Sequence, residues 1–180
     1  KGVSLKKSYN QLLKTLREIR KYKNIVKFLI GRMLYNDAIL TIFSFGGIYA
    51  REKFNWDIEM VLIFGIGINV AAGIGAFVFG FLDDKLGAKK TIQISNYAIF
   101  IAVMIAILAP SEEWFWVAGT IMGIASGPNQ SASRSLMGRI IPKEKTNEFY
   151  GFYAFSGKAT SFAGFLLLSL MILLTGSQEI

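Results

Sequence analysis

The chain has 180 residues, of which 53% are hydrophobic and 18% are charged, and its mean hydropathy is +0.44. It contains neither cysteine nor histidine, which excludes disulfide frameworks, thiolate or imidazole metal sites, and nucleophiles activated by histidine. We therefore expect no cofactor, no metal site and no catalytic residue. The net charge of +8 leaves nucleic acid and membranes as partners to be weighed.

Residues 1–24 are predicted to form a basic helix of their own. The apolar residues from Leu5 to Ile19 recur at helical spacing, with lysines and arginines between them. This pattern is typical of an amphipathic helix on the cytoplasmic leaflet, where each base near anionic lipid contributes about 1 kcal/mol. A nucleic-acid-binding arm would carry similar charge, but the apolar blocks that follow disfavour it, so no nucleic-acid partner is expected.

Five apolar blocks make up most of residues 25–180, the predicted transmembrane half-domain. Each block has 19 to 27 residues, and about 20 are needed to cross the hydrocarbon core of a bilayer. A buried soluble helix would explain any single block, but five blocks leave too little polar chain to cover them. Because irregular backbone cannot face lipid, we predict an all-α fold, a polytopic membrane helix bundle. The predicted spans are 25–50, 58–82, 91–109, 114–137 and 149–175.

The basic residues predict the orientation of this bundle. Fifteen lysines and arginines lie at the N-terminal end or in the connectors after the second and fourth blocks, whereas the other connectors hold only Arg51 and Lys53. By the positive-inside rule the N-terminus is cytoplasmic.

Four ionisable residues fall inside the blocks, where charge costs about 2.5 to 3.5 kcal/mol on insertion scales and therefore suggests function. Asp37 and Lys158 lie at matching depths, so they are predicted to form an ion pair that a proton, an ion or an anionic substrate could break; a purely structural pair is equally open. Arg32 and Asn36 are one helical turn apart and share a face, and Arg32 is close enough to the inner surface to extend towards it.

The fourth block has a polar cytoplasmic half. Pro128 follows a glycine there, which predicts a kink or a break and a cavity lined by Asn129, Gln130 and Arg134. Polar contacts that only hold helices together are the alternative.

The second block carries rows of glycine and alanine suited to close helix packing, and the third block should be the most lipid-exposed.

The connector between the second and third blocks resembles a known signature. Gly80, Asp84, Lys85, Gly87, Lys89 and Lys90 match the loop Gly-x-x-x-Asp-[Arg/Lys]-x-Gly-x-[Arg/Lys]-[Arg/Lys] of the major facilitator superfamily. The resemblance implies that these residues form a gating loop, which latches one conformation and releases it when the two halves of a transporter rock.

Further stretches resemble one branch of that superfamily, the vacuolar amino-acid effluxer of autophagy and its bacterial relatives. They lie at 31–37, 45–50, 127–135 and 149–158. The resemblance implies a C-terminal half containing helices seven to eleven of twelve, so that the N-terminal half and the twelfth helix would be partners within the same parent protein. It also implies a multi-pass protein of a bacterial inner membrane or of a vacuole-like organelle.

These observations favour half of a secondary transporter that moves small solutes, amino acids by the resemblance, through alternating access. Asp37, Asn36, Arg32, Asn129, Gln130, Arg134 and Lys158 are the candidate binding or coupling residues, with proton coupling expected through Asp37. A membrane-embedded enzyme acting on lipid-linked substrates is the alternative from another class, although its acid–base groups would be few. A membrane assembly protein that transports nothing is the third hypothesis.

Overall fold

The computed structural model describes residues 21–158 and the single positions Leu166, Leu170 and Leu173. The predicted N-terminal amphipathic helix therefore lies outside the described residues, except for its last four positions. All the regular elements in the described part of the chain are helices, which confirms the all-α class. They are α1 Lys23–Phe54, α2 Ile58–Leu86, α3 Ala88–Leu108, α4 Glu112–Ile140, a 3-10 turn Lys143–Lys145, and α5 Thr146–Ser156.

Helices α1 to α4 begin and end within four residues of the first four predicted spans, whereas the fifth differs. Block 149–175 was expected to be one helix, but α5 ends at Ser156 and a turn follows at Gly157 and Lys158. The structure differs from the prediction of one unbroken helix at this point, where the N–H of Lys158 donates to the carbonyl of Phe155, three residues back, and not to the carbonyl four residues back.

Two of the described helices, α2 and α3, are long and apolar enough to cross a membrane. Within their apolar windows 22% of α2 and 28% of α3 is buried. Helix α3 turns Thr91, Ser95 and Ile99 inward, where each is buried. The expectation that the third block is the most lipid-exposed stays a prediction.

Helix α4 is the centre of the bundle and packs against both α2 and α3. Its contact with α2 is made through glycines. A Cβ added at Gly75 would collide with the carbonyl of Ile124, and one added at Gly127 would collide with the carbonyl of Ala72. The predicted row of small residues in the second block thus brings two backbones into direct contact.

Pro128 does not break α4, which runs from Glu112 to Ile140. The predicted break is therefore wrong, whereas the kink that was the other possibility stays a prediction. Proline lacks an amide N–H, so only the carbonyl of Ile124, four residues back, loses its helical donor. This carbonyl lies against the Cα atom of Gly75.

An aromatic cluster joins the ends of α1, α2 and α4 that are remote from the signature loop. Buried Trp56 and Phe64 have ring centroids 5.2 Å apart in an edge-to-face arrangement, and Phe64 stacks on Phe115 at 5.1 Å. Such pairs contribute about 0.5 to 1.5 kcal/mol beyond the burial of their area. The cluster holds the ends of the three helices together at this end of the bundle.

Candidate functional site

Two polar side chains on one face of α1 bind the end of α5. Arg32 Nη1 donates to the carbonyl of Tyr153 and to Ser156 Oγ, both at 3.0 Å. Asn36 Nδ2 donates to the carbonyl of Gly157, also at 3.0 Å. The prediction that Arg32 and Asn36 share a face is confirmed.

These contacts cap the C-terminus of α5. The last carbonyl groups of a helix have no amide donor within the helix, and the partial negative charge there favours a cation. The guanidinium carbon of Arg32 lies 3.8 Å from the centre of the Tyr153 ring, which adds a cation–π contact. The expectation that Arg32 extends towards the inner membrane surface is therefore wrong, because α5 provides both acceptors and a ring for its guanidinium.

A cavity of about 500 Å³ opens beside this contact. It brings together the three basic residues predicted inside the spans, one from α1, one from α4 and one just after α5. None of the described residues that line it is an aspartate or a glutamate. The lining residues are Arg32, Arg134, Tyr150, Tyr153, Ala154, Gly157 and Lys158.

The sequence reasoning missed the two tyrosines of this cavity. Tyr150 and Tyr153 are spaced like one face of a helix with Gly157, since the positions follow at intervals of three and four. That spacing was the signal that could have identified the wall of the cavity. The two rings lie 6.2 Å apart, edge to face.

Asp37 does not line the cavity. Its Oδ1 atom is buried and has no hydrogen-bond partner among the residues that the structure describes, and neither has Thr41 Oγ1 one turn along α1. Native proteins leave few buried polar atoms in this condition, so each one requires an explanation. The predicted pairing of Asp37 with Lys158 stays a prediction.

Some residues in the polar half of α4 are buried in contacts with other helices, and others are exposed. Asn129 is only 1% exposed, and its Nδ2 donates to Asn96 Oδ1 of α3 at 2.7 Å. Ser133 Oγ lies 2.7 Å from the hydroxyl of Tyr35 in α1. Gln130 is exposed, and neither it nor Asn129 lines the cavity, so of the predicted α4 lining only Arg134 is found there.

The loop between α2 and α3 is a tight turn around Gly87. Its φ of +82° is a conformation that side chains rarely adopt, and its N–H donates to the carbonyl of Asp83 at 2.9 Å. The basic residues of the motif, Lys85, Lys89 and Lys90, are exposed. A Cβ added at Gly80 would meet nothing within 4 Å.

The carboxylate that reaches a neighbouring helix from this loop belongs to Asp83. Its Oδ2 lies 3.5 Å from Arg139 Nη2 at the end of α4, and its side chain is 13% exposed. Asp84, which matches the aspartate of the signature, is exposed. Successive helical residues point about 100° apart, so only one of the two can face α4.

Comparison with known proteins gives one family. The profile of a family described as "Vacuole effluxer Atg22 like" matches residues 2–180. The chain is 27% identical to a protein of Bacillus subtilis described as "Uncharacterized MFS-type transporter YxiO", over 96% of this chain and 40% of that protein. It is 24% identical to autophagy-related protein 22-2 of Aspergillus niger, over 94% of this chain and 31% of that protein.

The chain thus spans less than half the length of the curated relatives that it matches. No solved structure matches it. Because the family profile covers nearly every residue, the chain belongs to the family of Atg22-like vacuole effluxers.

Proposed function

We propose that this chain is the C-terminal half of a secondary active transporter that moves small solutes, amino acids among them, by alternating access. Family membership and the names of the relatives support transport, and the coverage of 40% and 31% is what a part of a larger transporter would give. The observation that carries the proposal is the cavity into which α1, α4 and the end of α5 bring Arg32, Arg134 and Lys158.

The composition of this cavity suits a transport path. A charged side chain among apolar helices is expensive, and three of them at one cavity require a compensating role. Transporters commonly place their sites where a helix is interrupted, so that backbone carbonyls and a helix end face the cargo. The end of α5 at Ser156, followed by Gly157 and Lys158, supplies such an interruption in the fifth apolar block.

Coupling and gating belong to other residues in this proposal. Asp37 takes and releases the proton, and its buried Oδ1 atom, which has no hydrogen-bond partner among the described residues, supports this role. Gly80, Asp84, Lys85, Gly87, Lys89 and Lys90 form the gating loop; the tight turn at Gly87 and the exposure of Asp84 leave this carboxylate accessible to another part of the parent protein.

The placement in the membrane follows the charge distribution. The N-terminus faces the cytoplasm of a bacterium or lies on the cytoplasmic side of an organelle, with the bilayer around the helices. The N-terminal half and the twelfth helix of the parent protein complete the path.

The test is transport by the full-length parent protein in liposomes. We expect exchange of at least one radiolabelled amino acid above that of protein-free liposomes. Arg134→Gln should reduce the rate about tenfold or more, as loss of a charged contact would. Lys143→Gln, which removes an exposed base outside the cavity, should leave the rate unchanged. Absence of flux for every amino acid, or equal rates in Arg134→Gln and the control, would contradict the proposal.

A further inference from the structure

The cavity carries an excess of positive charge. Arg32, Arg134 and Lys158 line it, and the residues that the structure describes add no aspartate or glutamate to this lining. Arg134 forms no hydrogen bond or ion pair with any residue in the described part of the chain, and its side chain is exposed. Several cations that line one concave surface raise the local concentration of anions there.

Arg32 is held in a fixed orientation but is only partly used. A guanidinium has five N–H donors, and the two on Nη1 are occupied by the Tyr153 carbonyl and Ser156 Oγ. The Nε and Nη2 donors have no acceptor among the described residues. These two nitrogens form the edge that binds a carboxylate through two parallel hydrogen bonds. Because Tyr153 supports the face of the guanidinium at 3.8 Å, that edge loses little entropy on binding.

Gly157 leaves the space that this arrangement requires. A Cβ at this position would lie 2.8 Å from Arg32 Nη1 and 3.0 Å from Nη2. The φ of Gly157 is −77°, which any residue can adopt. Steric contact with Arg32, and not backbone conformation, is therefore the constraint here.

We propose that this cavity binds the carboxylate group of the cargo on the Nε–Nη2 edge of Arg32, with Arg134 and Lys158 adding attraction. It follows that the site accepts solutes of zero or negative net charge and rejects those with a net positive charge. This inference rests on the proposed function, because it names the chemical class of the cargo. Tyr150 and Tyr153 give the rest of the ligand an aromatic wall.

Binding is measured by isothermal titration of the purified full-length parent protein, separately from flux. The probes are leucine, leucinamide, glutamate, lysine and inorganic phosphate. Leucinamide keeps the side chain and the ammonium group of leucine but lacks the carboxylate. We expect leucine or glutamate to bind at least about tenfold more tightly than leucinamide, which lacks the charge-assisted bonds of a carboxylate, and than lysine, which carries a net positive charge.

Three variants separate the charge of the site from its geometry. Arg32→Lys keeps the charge but removes the Nε and Nη2 donors that bind a carboxylate through two parallel hydrogen bonds. Gly157→Ala keeps the charge and displaces the end of a flexible side chain, which the fold should tolerate. Arg134→Gln removes a base that forms no hydrogen bond or ion pair with the described residues. Each should weaken binding of leucine or glutamate about tenfold, while Lys143→Gln should not.

The outcomes distinguish this inference from the proposed function. Binding of leucine and leucinamide with equal affinity, tighter binding of lysine or phosphate, or no binding of either carboxylate would overturn the inference even if flux were observed. Unchanged affinity in Gly157→Ala and Arg134→Gln would overturn it as well. Carboxylate binding that these variants weaken, in a protein without flux, would uphold the inference and refute transport.

Discussion

Gly157 has a large effect for a residue without a side chain. Its carbonyl accepts from Asn36, and its Cα atom provides the surface on which the Arg32 guanidinium lies. Asn36 thereby supplies a donor to the carbonyl of Gly157, whereas the carbonyl of Tyr153 accepts from Arg32 in addition to the N–H of Gly157 and Ser156 Oγ. The free-energy cost of placing the charged guanidinium of Arg32 among apolar helices is offset by its hydrogen bonds and by its contact with the Tyr153 ring.

Asp37→Asn tests proton coupling. The two side chains have nearly the same shape, so the fold should persist, but asparagine cannot take up a proton at neutral pH. We expect transport by the full-length protein in liposomes to lose its dependence on a pH gradient while exchange at equal pH continues. Glu52→Gln, an exposed residue at the far end of the same helix, is the matched control. An unchanged response to the gradient in Asp37→Asn would show that another group carries the proton.

At the scale of elements, α2 and α4 pack closely because glycine, which has no side chain, lies at their contact points. Gly75 meets the carbonyl that Pro128 leaves without a donor, and Gly127 meets the carbonyl of Ala72. Approaches of this kind allow weak Cα–H···O contacts and dense packing. They also explain why a proline within α4 is tolerated.

Gly75→Ala should therefore destabilise the bundle, because the added Cβ collides with rigid backbone. Overpacking of this kind costs about 1 to 3 kcal/mol. Gly73→Ala on the same helix is the control, since a Cβ there meets nothing within 4 Å, and it should be neutral or stabilising by up to about 1 kcal/mol. Thermal unfolding of the full-length protein in detergent measures both. Equal melting temperatures for the two variants would argue against the close contact.

The helices also differed in how well the sequence predicted where they begin and end. The lengths of α1 to α4 followed from the apolar blocks, because hydrophobic length is a local property. The end of α5 at Ser156 did not follow, because the contacts there join α5 to donors of α1 that lie more than 100 positions away in the chain. Pro128 was misleading for a similar reason, since the neighbouring helix accommodates the carbonyl that it frees.

At the scale of the whole molecule, the two adjacent carboxylates of the signature loop have different surroundings. Asp83 joins the ends of α2 and α4 within this chain through Arg139, whose side chain is 50% exposed. Asp84 faces away and is exposed. In the proposed transporter Asp84 is thus the carboxylate accessible to the other half of the parent protein.

Asp84→Asn should slow conformational exchange of the full-length protein without altering its stability, whereas Asp83→Asn should alter stability by less than about 1 kcal/mol, as for an exposed ion pair. Exchange rates are measured by single-molecule fluorescence between labels on the two halves, and stability by thermal unfolding. If Asp83→Asn slowed exchange and Asp84→Asn did not, the gating role would belong to the pair with Arg139.

The sequence by itself determined the helical class, the positions of the long helices, the family resemblance and the residues that bear charge among apolar neighbours. These follow from composition, periodicity and motif, which are local. Only the tertiary structure decided which of those side chains meet: Arg32 with the end of α5, Asn129 with Asn96, and Asp83 with Arg139. Each residue turns a helix by about 100°, so the packing of the helices selects which polar groups face the cavity and which hold the bundle together.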